Sequence, residues 1–398
     1  MNSREWRTYK LGDIVEVVQG LAINSKTKYL IQDTGLPLLR ITDLFNNTQV
    51  QFINPDEVPN QVIANENEII YTRTGQVGYV FKGRTGVVHN NCFKVIPIDN
   101  KVDKDFLYWF LFQETIRDYA NAIASGSVQK DLTHPAFKSI DIKVPPLDIQ
   151  RRIAAILSVL DDKIELNRQT NTTLEAIAQG IFKEWFVNFK FPGATGEMEE
   201  SELGLIPTGW RVGKVRDLCE VNNNSITKND QFNWIDYIEI SQVSEGKIVG
   251  VTHYLFGEEP SRAKRKLKHG DTVLSTVRPN RGSYFLAINP PETFIASTGF
   301  AVFSPAKVPY SFLYLLLTDS EKLEYYGHVA DGAAYPAINP NLIMEMDLVI
   351  PEDRILNQFH SVTESIFYKM FLAEQESQFL TQIRDNLLPK LMRGEIDV

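Results

Sequence analysis

The sequence predicts an α+β fold in which two similar globules are joined by two long helices, and three observations lead to this prediction. The chain of 398 residues repeats itself once, at a distance of about 205 residues. Each copy begins with short β-rich runs interrupted by glycine, asparagine and proline, which is typical of a mixed globule. Each copy ends in a long segment whose apolar residues recur at heptad spacing, which is typical of a coiled coil.

The internal repeat is the strongest of these observations, because its register holds over most of each copy. Trp6, Arg7, Lys10, Asp13 and Val17 recur at Trp210, Arg211, Lys214, Asp217 and Val221, and later matches pair Phe106, Leu107, Tyr108, Gly126, Asp141 and Pro145 with Phe312, Leu313, Tyr314, Gly332, Asp347 and Pro351. A period of this length is too long for a solenoid. It indicates two domain-sized halves related by a pseudo-two-fold axis.

The two copies divide the chain into five segments. Residues 1–146 form a first globule and residues 207–350 form its counterpart. Residues 147–190 and 351–398 are helical regions, and each opens beside a proline, which is tolerated at a helix start. Residues 191–206 are rich in glycine, proline and glutamate, so we interpret them as a linker.

The heptad pattern predicts that the two helices pair with each other. In the first helix the a and d positions are Ile153, Ile156, Leu160, Leu174, Ile177 and Ile181, with Asn167 at a and Lys163 and Thr170 at d. The same positions plus 206 give Phe359, Val362, Ile366, Leu380, Ile383 and Leu387, with Ala373, Lys369 and Glu376 at the remaining sites. A buried Asn167 near Ala373 would help to fix the register of such a pair. The alternative is two independent amphipathic helices, each packed on its own globule.

The charge and composition limit the possible function and location. A net charge of −9 argues, taken alone, against a nucleic-acid partner, because phosphates attract basic surfaces. The first globule is nevertheless balanced, with 16 basic and 16 acidic residues, and most of the acidic excess lies in the helical regions and the linker. The 2 cysteines have no metal-ligand or disulfide spacing, and no apolar run approaches the roughly 18 residues of a membrane span. We therefore expect a soluble, cytoplasmic protein without a membrane partner.

A search for catalytic motifs predicts that the chain is not an enzyme. The sequence holds no GxxxxGK, GxGxxG, HExxH or GxSxG pattern, and its 6 histidines are scattered singly. The string Asn289-Pro290-Pro291-Glu292 resembles the N-P-P-aromatic motif of amino-methyltransferases, in which an aromatic side chain stacks on a flipped base. Here a glutamate replaces the aromatic residue, so we interpret the string as a surface turn.

Three pairs of loops at matching positions of the two copies carry side chains that can read the edges of DNA bases. The loops are 40–43 with 239–242, 72–78 with 276–282, and 125–130 with 331–335. Arginine can bind guanine, and glutamine or asparagine can bind adenine. A basic cluster at 262–268 is a candidate phosphate grip. The candidate DNA contacts are Arg40, Thr42, Arg73, Thr74, Gln76, Ser127, Gln129, Lys130, Ser241, Gln242, Lys264, Lys266, Arg278, Asn280, Arg281 and Tyr335. Any single loop is equally well explained as an ordinary turn.

Four longer segments give the chain a family resemblance. They are VPPLDIQRRIAAILSVLDDKIELNRQ (144–169), FKEWFVNFKFPG (182–193), SELGLIPTGW (201–210) and LLPKLMRGEID (387–397). With these segments, at these places in its repeat, the chain resembles over essentially its full length the specificity subunit of type I restriction-modification systems. The resemblance implies that each globule is a target recognition domain that reads one half of a split, asymmetric DNA site. It also implies that the helices form an antiparallel coiled coil that sets the unread spacing.

The same resemblance implies the partners. They are double-stranded DNA, two methyltransferase subunits docked largely on the helical regions, and restriction subunits that join through the complex. S-adenosylmethionine, ATP, Mg and all catalysis would belong to those partners, so the chain itself is expected to hold no cofactor or metal. On this hypothesis Arg73→Ala weakens recognition of one half-site and Arg278→Ala weakens the other. A stand-alone DNA methyltransferase and a coiled-coil adaptor without a DNA role are the alternatives.

Overall fold

The structure is a computed structural model that describes residues 6–227, 229–331 and 337–398. The chain divides into two compact units. Unit 1 comprises Met1–Glu165 and Ser377–Val398, and unit 2 comprises Leu166–Glu376. The boundary between the units therefore falls inside both of the long helices.

Unit 1 contains three sheets and a set of short helices. Its strands are β1 (Arg7–Lys10), β2 (Val15–Gln19), β3 (Ile31–Gln32), β4 (Leu36–Leu39), β5 (Phe52–Ile53), β6 (Ile63–Ala64), β7 (Ile69–Thr72), β8 (Val80–Phe81), β9 (Gly86–Val88), β10 (Cys92–Pro97) and β11 (Asp141–Val144). Its helices are α1 (Ile41–Asn46), α2 (Lys104–Phe112), α3 (Glu114–Ile123), α4 (His134–Lys138) and the first part of α5 (Leu147–Phe182). The strand orders are β1-β11, β2-β10-β7-β8 and β3-β5-β4-β9-β6.

The core of unit 1 lies against the β2-β10-β7-β8 sheet. All four residues of β7 are buried, as expected of a continuous apolar strand that is covered on both faces. Tyr71 of β7 stacks on Phe93 of β10 with ring centroids 5.6 Å apart, and Phe137 of α4 packs on both rings. This packing fixes the end of β7, where the candidate loop 72–78 begins.

Among the described residues, unit 2 repeats this plan and adds two two-stranded sheets. Its strands are β12 (Met198–Ser201), β13 (Gly204–Pro207), β14 (Arg211–Lys214), β15 (Cys219–Val221), β16 (Trp234–Ile238), β17 (Val243–Ser244), β18 (Lys247–Ile248), β19 (Thr252–Leu255), β20 (Ala263–Lys266), β21 (Thr272–Ser275), β22 (Tyr284–Leu286), β23 (Phe294–Ser297), β24 (Phe300–Pro305) and β25 (Asp347–Ile350). Its helices are α6 (Tyr310–Leu317), α7 (Ser320–Asp331), α8 (Pro340–Met344) and most of α9 (Asp353–Met392). Residues 198–207, partly within the predicted linker, form the β12-β13 hairpin.

The sheets confirm the internal repeat. The order β15-β24-β21-β22 in unit 2 matches β2-β10-β7-β8 in unit 1, and β14-β25 matches β1-β11. Even the ion pairs recur: Lys10 Nζ lies 2.7 Å from Asp141 Oδ1, and Lys214 Nζ lies 3.1 Å from Asp347 Oδ1. The order β19-β16-β23-β20 matches β5-β4-β9-β6 in unit 1, because β16 pairs parallel with β23 as β4 does with β9, and the outer strands of both sheets pair antiparallel.

The two long helices pair in an antiparallel sense within each unit. In unit 1, Arg384 Nη1 of α9 donates to Asp161 Oδ1 of α5 at 2.5 Å, and Leu157 shares a core with Leu388 and Leu391. In unit 2, Phe182 near the end of α5 meets Phe359 near the start of α9, with ring centroids 6.1 Å apart. The predicted coiled-coil pairing is confirmed.

The buried asparagine that we predict in this pair is present. Asn167 is 4% exposed, and its Nδ2 donates to the Ala373 carbonyl at 3.3 Å and to Glu376 Oε2 at 2.8 Å. Asn171, one turn further along α5, donates to the Met370 carbonyl at 3.2 Å. Sequence analysis identified Asn167 but not Asn171.

Half of the predicted heptad assignment is wrong. Ile153 and Phe359 are buried at their a positions, but Ile156 and Val362 at d are 39% and 43% exposed. The structure instead buries Leu157, Asn171, Ala178 and Thr363, each of which follows a d position. The second apolar position of a heptad can lie three or four residues after the first, and both spacings keep the seven-residue period. Ile156 lies three residues after Ile153, and isoleucines at such positions favoured the wrong spacing. The corrected seam lies at 153, 157, 160, 164, 167, 171, 174 and 178.

Candidate nucleic-acid interface

In unit 1 the candidate loops 72–78 and 125–130 are joined into one surface. The Gly75 amide donates to the Lys130 carbonyl at 2.8 Å, and the Leu132 amide donates to the Arg73 carbonyl at 2.9 Å. Gly126 has a φ of 101°, and a Cβ there would lie 2.3 Å from the Gln129 carbonyl oxygen. Glycine is therefore required at this turn. The candidate side chains that this surface exposes are Gln76, Ser127, Gln129 and Lys130.

Arg73 and Thr74 lie beneath that surface, in a hydrogen-bonded clamp. Arg73 donates through Nε and Nη2 to the two oxygens of Asp131, at 3.1 and 2.6 Å, and through Nη1 to Gln19 Oε1 at 2.7 Å. Thr74 Oγ1 donates to Asp131 Oδ1 at 2.6 Å. Although burial acts to raise it, the pKa of the Asp131 carboxyl is held below its usual range by the hydrogen bonds from Arg73 and Thr74. The clamp ties β2, loop 72–78 and Asp131, the residue after loop 125–130, together.

Arg40 and Thr42 lie at the start of α1. Thr42 is exposed, whereas Arg40 donates through Nε and Nη2 to the carboxylate of Asp43, at 2.5 and 3.0 Å. The segment 89–91 connects this place to the clamp, because the His89 amide donates to the Leu39 carbonyl and the Arg73 amide donates to the Asn91 carbonyl. The structure thus brings the first two candidate loops of unit 1 to one edge.

His89 is a polar residue of this edge that sequence analysis missed. Burial and the nearby positive charge of Arg40 lower the pKa of His89, so its ring is neutral at pH 7. Its Nδ1 accepts the Asn91 amide at 3.2 Å, which leaves the ring proton on Nε2. Gln19 and Asp131 were missed as well. These three residues are separated by 42 to 112 positions along the chain, and no local pattern marks them.

In unit 2 the loop 276–282 makes the same backbone hydrogen bond, but the described residues form no side-chain clamp like that on Arg73. The Ile338 amide donates to the Thr276 carbonyl at 2.8 Å, as Leu132 does to Arg73. Thr276 is thus the counterpart of Arg73, and our sequence pairing of Thr72 with Thr276 was wrong by one residue. The position of Asp131 corresponds to Ala337, which forms a bridge with Val277. The side chains of Arg278, Asn280 and Arg281 are exposed. Tyr335, with the rest of 332–336, lies outside the described residues.

Ser241 and Gln242 occupy a turn with internal hydrogen bonds. Ser241 Oγ donates to Glu239 Oε1 at 2.9 Å, and Gln242 Nε2 donates to Thr252 Oγ1 of β19 at 2.9 Å. Gln242 Oε1 also accepts the Glu239 amide at 3.1 Å. Ser241 remains exposed, whereas the side-chain amide of Gln242 is occupied by these two hydrogen bonds.

Part of the basic cluster at 262–268 makes contacts within unit 2. Lys266 of β20 donates to Asp230 Oδ1 at 2.7 Å and lies over the ring of Phe232. The hydrogen bond from Lys266, together with the Thr227 amide, lowers the pKa of Asp230 to about 2. Lys264 is half-buried, and Arg262 and Lys268 are exposed. Within the cluster, the side chains that can face a phosphate are therefore Arg262, Lys264 and Lys268.

Two other kinds of site, a metal centre and a membrane span, do not occur in the described residues. Within residues 6–227, 229–331 and 337–398, no group of three or more His, Cys, Asp and Glu side chains is arranged to hold a metal ion. None of the helices in the described part of the chain is long and apolar enough to cross a membrane. Asn289 has a φ of 45°, and it lies with Pro290 and Pro291 in the turn before β23.

Comparisons with known proteins agree with this architecture. A family model described as the type I restriction modification DNA specificity domain matches residues 3–176 and 207–358. The specificity subunit of the type I restriction enzyme MjaIX from Methanocaldococcus jannaschii is 26% identical over 413 residues, which cover 99% of this chain and 94% of that protein. The HindI specificity subunit from Haemophilus influenzae is 26% identical over 475 residues, covering 98% of this chain and all of that protein.

A solved structure shows the same fold. The S subunit of a type I restriction-modification system from M. genitalium superposes with a TM-score of 0.61 at 15% identity, covering 98% of this chain and 97% of that one. Because the family model matches both halves, the chain is of the class of proteins that carry two DNA specificity domains. The chain belongs to the type I restriction-modification specificity family, as its sequence segments indicate.

Proposed function

We propose that each unit reads one half of a split, asymmetric DNA site. One observation carries the proposal: the loops that follow β7 and β21 make the same backbone hydrogen bond to a later segment of their unit but carry unlike side chains. Unit 1 exposes Gln76 and Gln129, whereas unit 2 exposes Arg278 and Arg281. Glutamine suits adenine and arginine suits guanine, so like scaffolds would read unlike sequences.

The helices and the absence of catalytic motifs suggest how the chain works with partners. In this proposal α5 and α9 set the number of unread base pairs and dock two methyltransferase subunits, and restriction subunits join that complex. Methyl transfer, ATP hydrolysis and cleavage, with S-adenosylmethionine, ATP and Mg, belong to the partners in the cytoplasm. This chain then acts as the non-catalytic subunit that selects the DNA sequence.

The test is a pair of variants scored against each half-site. Mapping the adenines methylated by the assembled complex first identifies the two half-sites. We expect Gln76→Ala to weaken binding only when the first half-site is intact, and Arg281→Ala only for the second half-site. Each good base contact contributes about 1 to 3 kcal/mol. Equal binding of cognate and scrambled duplexes by the unmodified complex would refute the proposal.

A further inference from the structure

Two arginines of unit 1 are held in similar ways, and they differ in one respect. Arg40 and Arg73 each donate side-on, through Nε and Nη2, to a carboxylate that also accepts a threonine hydroxyl. For Arg40 the carboxylate is Asp43, which also accepts Thr48 Oγ1 at 2.9 Å. Arg73 has a second partner, since its Nη1 donates to Gln19. Over the described residues, the Nη1 of Arg40 has no such partner.

Asp43 is built to hold Arg40 in one orientation. Its side chain is 2% exposed, and its two oxygens accept three hydrogen bonds. The backbone of α1 fixes the pair further, because the Leu44 amide donates to the Arg40 carbonyl at 2.9 Å. Burying a carboxylate this deeply is unfavourable unless it is paired and hydrogen-bonded. The pair therefore constrains the planar guanidinium, whose remaining donors point along a fixed direction.

The donors left over are the ones that guanine recognition uses. A side-on pair occupies Nε and one hydrogen of Nη2, which leaves the terminal edge formed by Nη1 and Nη2. Such an edge can donate bidentately to O6 and N7 of guanine in the major groove. The Arg40 side chain is 29% exposed, and none of its hydrogen bonds within the described residues uses Nη1. Arg73 is 20% exposed and is bound on two sides, which makes it part of the frame of the surface.

Resting on the proposed function, we propose that Asp43 is a positioning residue that orients Arg40 to read one guanine in the half-site of unit 1. Neutral His89 lies beside Arg40 and adds no second positive charge there. Unit 2 has Glu239 where unit 1 has Arg40, and Gln242 where unit 1 has Asp43. The half-site of unit 2 is therefore not read in this way. The proposal reassigns Arg73, a predicted base contact, to support of the loop.

The first experiment needs no variant. The full chain, assembled with its methyltransferase subunits, is titrated with duplexes in which each guanine of the first half-site is replaced in turn by 7-deazaguanine, which lacks the N7 acceptor. We expect one position to weaken binding about 2- to 12-fold, because the replacement removes one of the two acceptors of that guanine and leaves O6. If no position in that half-site is sensitive, or if it contains no guanine, the inference is wrong. If the complex does not distinguish cognate from scrambled DNA, the proposed function itself fails.

Variants then assign that guanine to Arg40 and its orientation to Asp43. Arg40→Lys keeps the charge but not the fork, so we expect it to bind the unmodified duplex more weakly and to lose sensitivity to 7-deazaguanine. Asp43→Asn should reduce the same sensitivity although Arg40 is intact. Binding by both variants should retain its dependence on the second half-site, which shows that they are folded. Full sensitivity in Arg40→Lys overturns the inference.

A matched control and a salt titration separate base reading from other roles. Arg393 donates to Glu395 through Nε and Nη2 at 2.6 and 3.3 Å, the same side-on geometry, on an exposed segment of unit 1. Arg393→Lys should leave the sensitivity to 7-deazaguanine unchanged. If Arg40 binds a phosphate instead, Arg40→Ala weakens cognate and scrambled duplexes equally and lowers the salt slope by about one. That result would also overturn the inference.

Discussion

Phe359 of α9 is the residue whose truncation tests the packing of the long helices most directly. Its side chain is fully buried in unit 2. Its ring centroid lies 4.8 Å from that of Phe186, 5.7 Å from that of Trp185 and 6.1 Å from that of Phe182. Phe359→Ala would therefore leave a cavity among three aromatic rings that join the end of α5 to the start of α9.

The expected loss follows from this burial. Truncating a buried phenylalanine to alanine costs about 3 to 5 kcal/mol, which combines lost transfer free energy with the cavity left behind. Alanine favours a helix over phenylalanine by about 0.5 kcal/mol, which offsets a small part. We expect the free energy of unfolding of unit 2 to fall by about 3 to 4 kcal/mol.

The chain provides a matched control for this variant. Phe379 lies in the same helix but is 62% exposed, so Phe379→Ala should change the free energy of unfolding by less than about 0.5 kcal/mol. Urea denaturation followed by tryptophan fluorescence suits the comparison, because Trp185 contacts Phe359 directly. A loss below about 1 kcal/mol for Phe359→Ala, or equal losses for the two variants, would refute the reasoning.

Three further predictions follow from single sites. Gly126→Ala forces a Cβ to within 2.3 Å of the Gln129 carbonyl oxygen, so it should destabilise the loop by about 1 to 3 kcal/mol in thermal melts. It should also weaken DNA binding, and only at the first half-site. Gly180→Ala, whose Cβ would lie in open space, should have neither effect. Asp131→Asn should lower the free energy of unfolding by about 1 kcal/mol at pH 7. Because the pKa of Asp131 is depressed in the folded state, the difference between the two proteins should shrink as the pH falls below about 4. A difference in urea titrations that does not change with pH would contradict this. Asn167→Ala leaves the Ala373 carbonyl without this donor and should cost about 1 kcal/mol, whereas Gln179→Ala on the exposed face of α5 should cost far less.

The repeat and the helix pairing could be predicted because they depend on patterns that recur along the chain. Lys10, Asp13 and Asp141 recur in unit 2 with the same contacts, since a capping turn and a two-stranded ladder need the same residues in both copies. Asn167 was predictable because a polar residue interrupts an otherwise apolar seam. Its partner Ala373 lies 206 residues away, at the equivalent position of the repeat.

The details of the reading surface could not be predicted in the same way. The clamp on Arg73 joins Gln19 to Asp131, and a contact between residues so distant in sequence has no local signature. The register of the 276–282 loop was misassigned because arginine, threonine and glycine recur there out of phase, whereas the backbone bond from Ile338 fixes the true register. Side-chain type predicts what a loop can bind, but the hydrogen bonds that a side chain already makes decide whether it is available.

Hydrogen bonds within the units also reduce the number of basic side chains that this acidic chain has free for DNA phosphates. In unit 1, Arg73 is paired with Asp131, and Lys130 Nζ donates to the Asn121 carbonyl. In unit 2, Lys266 is paired with Asp230. The gain from counterion release scales with the number of phosphates that cations neutralise, and a cation already paired with a carboxylate contributes less of it. We therefore expect the chain alone to bind DNA weakly, with selectivity from base contacts, while methyltransferase subunits supply most of the phosphate contacts. A steep salt dependence for the isolated chain, equal to that of the complex, would contradict this division of labour.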